Sequence, residues 1–175
     1  ATATAVSWAG GEPILCDVEQ HRYGIDITAL RKRITPKTKV IVPVHVLGKA
    51  VDIDALLTIA REFNLTIIED AAGALSSKTH KGEMLGTIGK VGCFSMQSNK
   101  IITSGQGGFV VTNDMRYYET MRRIRDFGRF SNKEFLHETE GYNLKFSDLA
   151  AALALGQFKK IEQRKQLLRR QFELY

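Results

Sequence analysis

Residues 39–70, KVIVPVHVLGKAVDIDALLTIAREFNLTIIED, decide the fold class. The stretch opens with KVIVPVHV, an apolar β-branched run with the composition of a strand. Pro43 has no N–H to give a ladder, which moves this strand to a sheet edge or a strand end. DIDALLTIAREFN follows, with Ile53, Leu56, Leu57, Ala60 and Phe63 at helical spacing, and predicts an amphipathic helix. LTIIED then reads as a strand apolar enough to be covered on both faces. Strand, helix and strand in this order make the repeating unit of a mostly parallel sheet with helices on its faces.

The pattern extends outward in both directions. EPILCDV predicts a strand, and DITALRKRI a short helix with Asp26 as its N-cap. After LTIIED, a loop through KTHKGEMLGTIG leads to the strand VGCFSM. GGFVVTND is a further strand, and with no helix between these two, one of them is expected to run antiparallel. A helix from Asp114 to about Phe127 ends at Gly128 as its C-cap. RFSNKEFLHETEGYNLKF is polar and irregular and reads as a long functional loop. SDLAAALALGQFKKIEQRKQLLRRQFEL is helical, with Ser147 as N-cap and a break expected near Gly156. Residues 1–146 thus form an α/β core and residues 147–175 a helical exit.

Composition bounds the function. The chain has 175 residues, 43% hydrophobic and 25% charged, enough for a cored domain. Nothing approaches the roughly 20 apolar residues of a membrane helix. The start lacks both Met and a positive n-region, and the end falls inside a helix, so the chain reads as the excised core of a longer protein. Cys16 and Cys93 lie far apart in apolar surroundings, as buried free thiols of a reducing, cytoplasmic compartment do. The net charge of +6 could attract anions. Lys159, Lys160, Arg164, Lys165, Arg169 and Arg170 account for much of it and read as a solvated helix face. No basic motif with interleaved aromatics indicates nucleic acid.

The chemistry-bearing residues cluster at strand ends, where ligands bind in open α/β sheets. Glu69 and Asp70 end one strand, and alternation lets only one of them face a given site. An isolated acidic pair there more often caps a helix or forms an ion pair. Ser95 ends VGCFSM, and Lys100 follows in SMQSNKIITSGQGG. Most lysines are simply solvated, and GQGG alone suits an ordinary hairpin loop. Together, however, an acid, a hydroxyl and an amine at strand ends are the minimum set for pyridoxal phosphate: ring nitrogen, phosphate and aldehyde. His45 suits a hydrogen-bonded structural role. His21, His80 and His137 show no metal or triad spacing. Asn143, in EGYNLKF, taken alone is a turn residue.

With these pieces assembled, the chain resembles the DegT/DnrJ/EryC1/StrS sugar aminotransferases, pyridoxal-phosphate enzymes of fold type I. IIEDAA, FSMQSNK, GGFVVTND, RIRDFGR and GYNLKFSDLAAALALGQFKKIE occur in family order, and the resemblance runs nearly the whole length. It implies the central part of the large domain of such an enzyme. It implies Lys100 as the amine that forms the internal aldimine and then shuttles the proton. It implies Asp70 as partner of the pyridine nitrogen, Ser95 as a phosphate donor, and Asn143 as a residue reaching the neighbouring subunit's phosphate. A homodimer with shared active sites follows, with a nucleotide-linked keto sugar as substrate and glutamate as amino donor.

Three departures qualify the resemblance. Gly73 stands where the family usually has a glutamine near the cofactor ring. Lys145 stands where an arginine is common, keeping the charge without the bidentate fork. The segment carrying the family's phosphate-binding Gly-Thr pair and ring-stacking aromatic is not in the sequence, nor is the C-terminal small domain. The rival readings are a related sugar dehydratase, which Lys100 opposes because that branch can carry histidine there, and a non-catalytic binding or dimerisation module. A plain nucleotide-binding domain lacks its Gly-rich turn after the first strand.

Overall fold

The computed structural model describes residues 1–129, 136–137 and 139–175. The chain divides into two compact units, Ala1–Phe94 and Ser95–Tyr175.

The first unit contains α1 (Thr2–Trp8), α2 (Ile27–Arg33), β1 (Val40–Ile41), α3 (Ile53–Glu62), β2 (Thr66–Asp70) and β3 (Val91–Ser95, whose last residue opens the second unit). β2 pairs in parallel with β1 on one side and β3 on the other, as the βαβ reading requires. Ile41 lies opposite Ile67, and Asp70 opposite Cys93. β1 is shorter than KVIVPVHV because Pro43 interrupts it. The run still tracks β2 beyond the proline: the Asp70 N–H donates to the Pro43 carbonyl at 2.9 Å and the His45 N–H to the Asp70 carbonyl at 3.0 Å.

EPILCDV forms no strand. A single antiparallel bridge joins Val18 to Ile25. Ile14, Leu15 and Val18 are exposed. β propensity supplies no partner strand, and without a ladder the segment remains irregular.

The core lies where α2 and α3 cover the sheet. Asp52 caps α3 by accepting the Ala55 N–H at 3.1 Å, and Asp26 caps α2 through the Ala29 N–H at 2.6 Å. Ile53, Leu56, Ile59 and Ala60 of α3 join Leu30, Ile41, Val51 and Ile67 in one buried cluster. Each large side chain buried here is worth about 1.5–3 kcal/mol. Phe63, assigned to the α3 stripe, is 40% exposed, whereas Ile59 is 1% exposed. The helix stops at Glu62, so Phe63 is its C-cap residue and has left the helical face.

The connection from β2 to β3 is a packed loop without a helix. Ala71, Ala74 and Leu85 are fully buried within it. The loop backbone lies directly against β3: a Cβ on Gly92 would collide with the Gly86 main chain. Gly86 itself has φ +86°, a conformation suited to glycine.

The second unit contains β4 (Gly108–Val111), α4 (Met115–Arg125), α5 (Asp148–Phe158) and α6 (Ile161–Glu173). α4 ends at Arg125, short of the expected Phe127. Phe127 and Gly128 both have positive φ, and the Gly128 N–H closes the last turn on the Arg123 carbonyl at 2.8 Å. Ser147 caps α5 through the Ala150 N–H at 3.3 Å. The helical break falls at Lys159–Lys160 and not at Gly156, which lies inside α5. A helix-interior glycine costs about 1 kcal/mol relative to alanine and does not by itself end a helix. Of the polar loop, residues 130–135 and 138 lie outside the described residues. Its later part returns along the end of α4, with the Tyr142 N–H on the Ile124 carbonyl at 2.7 Å and the Leu144 N–H on the Arg125 carbonyl at 3.0 Å.

Candidate active site

Alternation along β2 separates the two acids. Ile67 and Glu69 are buried, while Ile68 and Asp70 are partly exposed. Glu69 is the structural acid. It is fully buried and accepts four bonds: from His45 Nε2 at 2.9 Å, and from the backbone N–H groups of Gly86 at 2.8 Å, Ile88 at 2.7 Å and Gly89 at 2.6 Å. Val51 N–H donates to His45 Nδ1 at 3.5 Å, so Nε2 carries the ring proton that Glu69 receives. Burial pushes the Glu69 carboxyl up, but the bonds from His45, Gly89, Gly86 and Ile88 together outweigh it and hold it below its ordinary value. The structural role expected for His45 is therefore observed, with Glu69 as its partner.

Asp70 is the partly exposed acid of the pair. Its Oδ1 accepts the Ala72 N–H at 3.1 Å, and its Oδ2 accepts the Thr2 hydroxyl at 2.5 Å. Each carboxylate oxygen has more than one lone pair, so the group retains capacity for a further donor. Thr2 carried no sequence signal as a partner of Asp70, since the contact spans a sequence separation of 68. The Cys93 thiol lies opposite Asp70 in the sheet register. Burial pushes that thiol up, and the Asp70 charge adds to the effect. Cys16 and Cys93 are both free and half-buried, less enclosed than their apolar surroundings suggested. Gly73 follows in the same turn. A Cβ there would meet only the His45 carbonyl oxygen at 3.8 Å and the Leu47 nitrogen at 3.9 Å, so packing does not require glycine.

In the second unit, Ser95 and Lys100 sit on one tight loop. Ser95 Oγ accepts the Gln97 N–H at 3.2 Å, which leaves its own hydroxyl proton to donate elsewhere. The Lys100 N–H donates to the Gln97 carbonyl at 3.0 Å, fixing the turn between them. Among the described residues the Lys100 amine has no hydrogen bond or ion pair. Thr103 Oγ1 donates to the Met96 carbonyl at 3.0 Å and accepts the Gly105 N–H at 2.8 Å, so the segment folds back on itself.

The sequence reading missed what holds this loop. Gln157 Oε1 of α5 accepts the Thr103 N–H at 3.1 Å, and Arg164 Nη1 of α6 donates to the Ile101 carbonyl at 2.8 Å. Arg164 is therefore not part of a purely solvated face.

Asn143 is exposed and bridges to Asp126 through its backbone. Lys145 is engaged: its ammonium contacts Asp126 Oδ1 at 2.5 Å and lies 4.4 Å from the Phe127 ring centroid. That ammonium holds the Asp126 carboxyl below its ordinary value. Asp70 thus belongs to the first unit, and Ser95, Lys100 and Asn143 to the second.

The parallel pairing of β1, β2 and β3 under their covering helices is the α/β fold of the fold type I pyridoxal-phosphate aminotransferases. The solved aminotransferase from Psychrobacter cryohalolentis superposes with a TM-score of 0.82 and 33% identity, covering 90% of this chain and 42% of that one. The chain belongs to the DegT/DnrJ/EryC1/StrS aminotransferase family, whose family model matches residues 1–175. It is 37% identical over 163 residues to GDP-perosamine synthase of Caulobacter vibrioides, covering 93% of this chain and 44% of that protein. It is 39% identical over 164 residues to the putative L-glutamine:3-amino-2,3-dideoxy-scyllo-inosose aminotransferase of Streptomyces kanamyceticus, covering 91% and 38%. The chain spans less than half the length of either relative. No described helix is long and apolar enough to cross a membrane.

Proposed function

We propose that this chain supplies the central part of a pyridoxal-phosphate-dependent aminotransferase acting on a nucleotide-linked keto sugar in the cytoplasm, with glutamate as amino donor. The substrate class is supported by GDP-perosamine synthase among the relatives. The Streptomyces relative is named for glutamine as donor.

The residues suit the cofactor chemically. Asp70 keeps lone pairs for a protonated pyridine nitrogen, Ser95 keeps its hydroxyl proton for a phosphate oxygen, and Lys100 offers an uncommitted amine. When bound, pyridoxal phosphate supplies an electron sink for the substrate carbon that loses its proton. Asp70 favours the charged ring nitrogen through an opposite charge. Lys100 accepts a proton at Nζ from one carbon and returns it to another. The observation that carries the reading is the Ser95–Lys100 turn, which sets on one loop a donor hydroxyl and an amine without a hydrogen bond or ion pair among the described residues.

The same proposal includes a homodimer, with Asn143 reaching the partner's site. Leu149, Leu153 and Leu155 of α5 are all more than half exposed, as an interface helix would be in a lone chain. Incubation with pyridoxal phosphate and borohydride tests the proposal in a protein that includes the flanking segments. The expected result is a reduced phosphopyridoxyl group on Lys100, absent with turnover in Lys100→Ala. A folded protein with no adduct overturns it in favour of a binding module. An adduct without amino transfer indicates dehydration chemistry instead.

A further inference from the structure

The loop bearing Lys100 has no regular secondary structure, yet an amine that must meet one carbon atom needs a backbone held to within about half an ångström. Its internal bonds fix the turn at Gln97 and the fold-back at Thr103. Among the described residues they leave the Ile101 carbonyl and the Thr103 N–H without a partner inside the loop. Two side chains from the C-terminal helices supply it. Arg164 donates to the Ile101 carbonyl at 2.8 Å, and Gln157 accepts the Thr103 N–H at 3.1 Å. Between these anchors Ile102 is fully buried. Three successive residues after Lys100 are thus held by a carbonyl bond, a buried side chain and an amide bond.

The two anchors are chemically distinct. An arginine–carbonyl bond is charge-assisted and planar, and therefore directional. The glutamine offers an acceptor to an N–H that would otherwise lack one. Other cations of these helices do different work: Lys165 pairs with Glu162 of its own helix at 2.9 Å.

We propose that Gln157 and Arg164 are positioning residues for Lys100, clamping the backbone of its loop from α5 and α6. This rests on the reading of Lys100 as the cofactor-bearing amine. The clamp makes α5 and α6 part of the site's support, so a change in these helices is felt at the lysine.

The test uses a protein that includes the flanking segments, as wild type and as five variants: Gln157→Leu, Gln157→Glu, Arg164→Gln, Arg164→Lys and, as a control, Arg169→Gln. Amide hydrogen exchange is read at Thr103, with Tyr118 in α4 reporting that the unit is folded. Pyridoxal phosphate with borohydride, followed by peptide mapping, gives the share of label on Lys100. We expect about fivefold faster Thr103 exchange in Gln157→Leu and Arg164→Gln, the loss of one net hydrogen bond. We expect a severalfold lower Lys100 share in both. Gln157→Glu, which keeps an acceptor, retains protection; Arg164→Lys recovers part of the label; the control behaves as wild type. Unchanged Thr103 exchange in both loss variants overturns the clamp. Faster exchange with an undiminished Lys100 share overturns the positioning role. Wild-type label spread evenly over the lysines overturns the cofactor reading itself, and the inference with it.

Discussion

Replacing Glu69 by glutamine changes few atoms and removes one charge, which makes it a sharp probe of how the end of β2 is held. The carboxylate accepts four donors with no solvent exposure. Ile88 and Gly89 share Oε1, while Gly86 and His45 share Oε2. A carboxamide has one oxygen. If it serves Ile88 and Gly89, its NH2 confronts the Gly86 N–H and the His45 Nε2 proton. His45 can relieve its side by moving its proton to Nδ1, which then faces the Val51 N–H. At least one buried N–H stays unpaired, at about 1–3 kcal/mol, and the two retained bonds lose charge assistance worth about 1 kcal/mol each. The sum is about 3–5 kcal/mol, a large part of a typical domain's 5–15 kcal/mol.

The same network predicts a pH signature. The folded carboxyl lies below its ordinary value of 4.5, so its contribution is complete above that pH and is lost as pH falls through the folded value. Urea denaturation of wild type and Glu69→Gln at pH 7 and at pH 3–4 measures both effects. The expected gap is large at pH 7 and narrows in acid, with an unchanged slope against urea. A gap below about 1 kcal/mol at pH 7, or one of equal size in acid, would show that the four bonds do not hold Glu69 as an anion.

Two further substitutions test the packing. Gly73→Gln is expected to leave urea stability within about 0.5 kcal/mol, since its Cβ meets nothing closer than 3.8 Å, and to raise the yield of borohydride-trapped cofactor on Lys100. A destabilisation of several kcal/mol would mean that the turn does need glycine. Gly92→Ala is expected to cost more than about 3 kcal/mol, because its Cβ would drive into the Gly86 main chain, which has no rotamer with which to yield. Near-normal denaturation of that variant would show that the loop is free to move away from β3.

Local reading succeeded where the physics is local. Asp26 and Ser147, read as caps, do cap the helices they precede, because a cap needs only a side chain and an N–H three residues on. It failed where a distant partner decides. EPILCDV has strand composition and no ladder, while the α4 terminus depends on Phe127 and Gly128 turning left-handed under the returning Tyr142 segment.

The sequence by itself determined that β2 presents two acids to opposite faces, that the order of elements is α/β, and that Ser95 and Lys100 share one short loop. These follow from backbone periodicity and chain continuity, which reach only a few residues. Only the tertiary structure decided that Glu69 is the buried acid and Asp70 the available one, that Thr2 bonds Asp70, and that Gln157 and Arg164 hold the lysine loop. Those bonds join residues 68, 54 and 63 positions apart. A hydrogen bond across such a span is set by how elements pack, and packing is a property of the whole chain that no local pattern encodes.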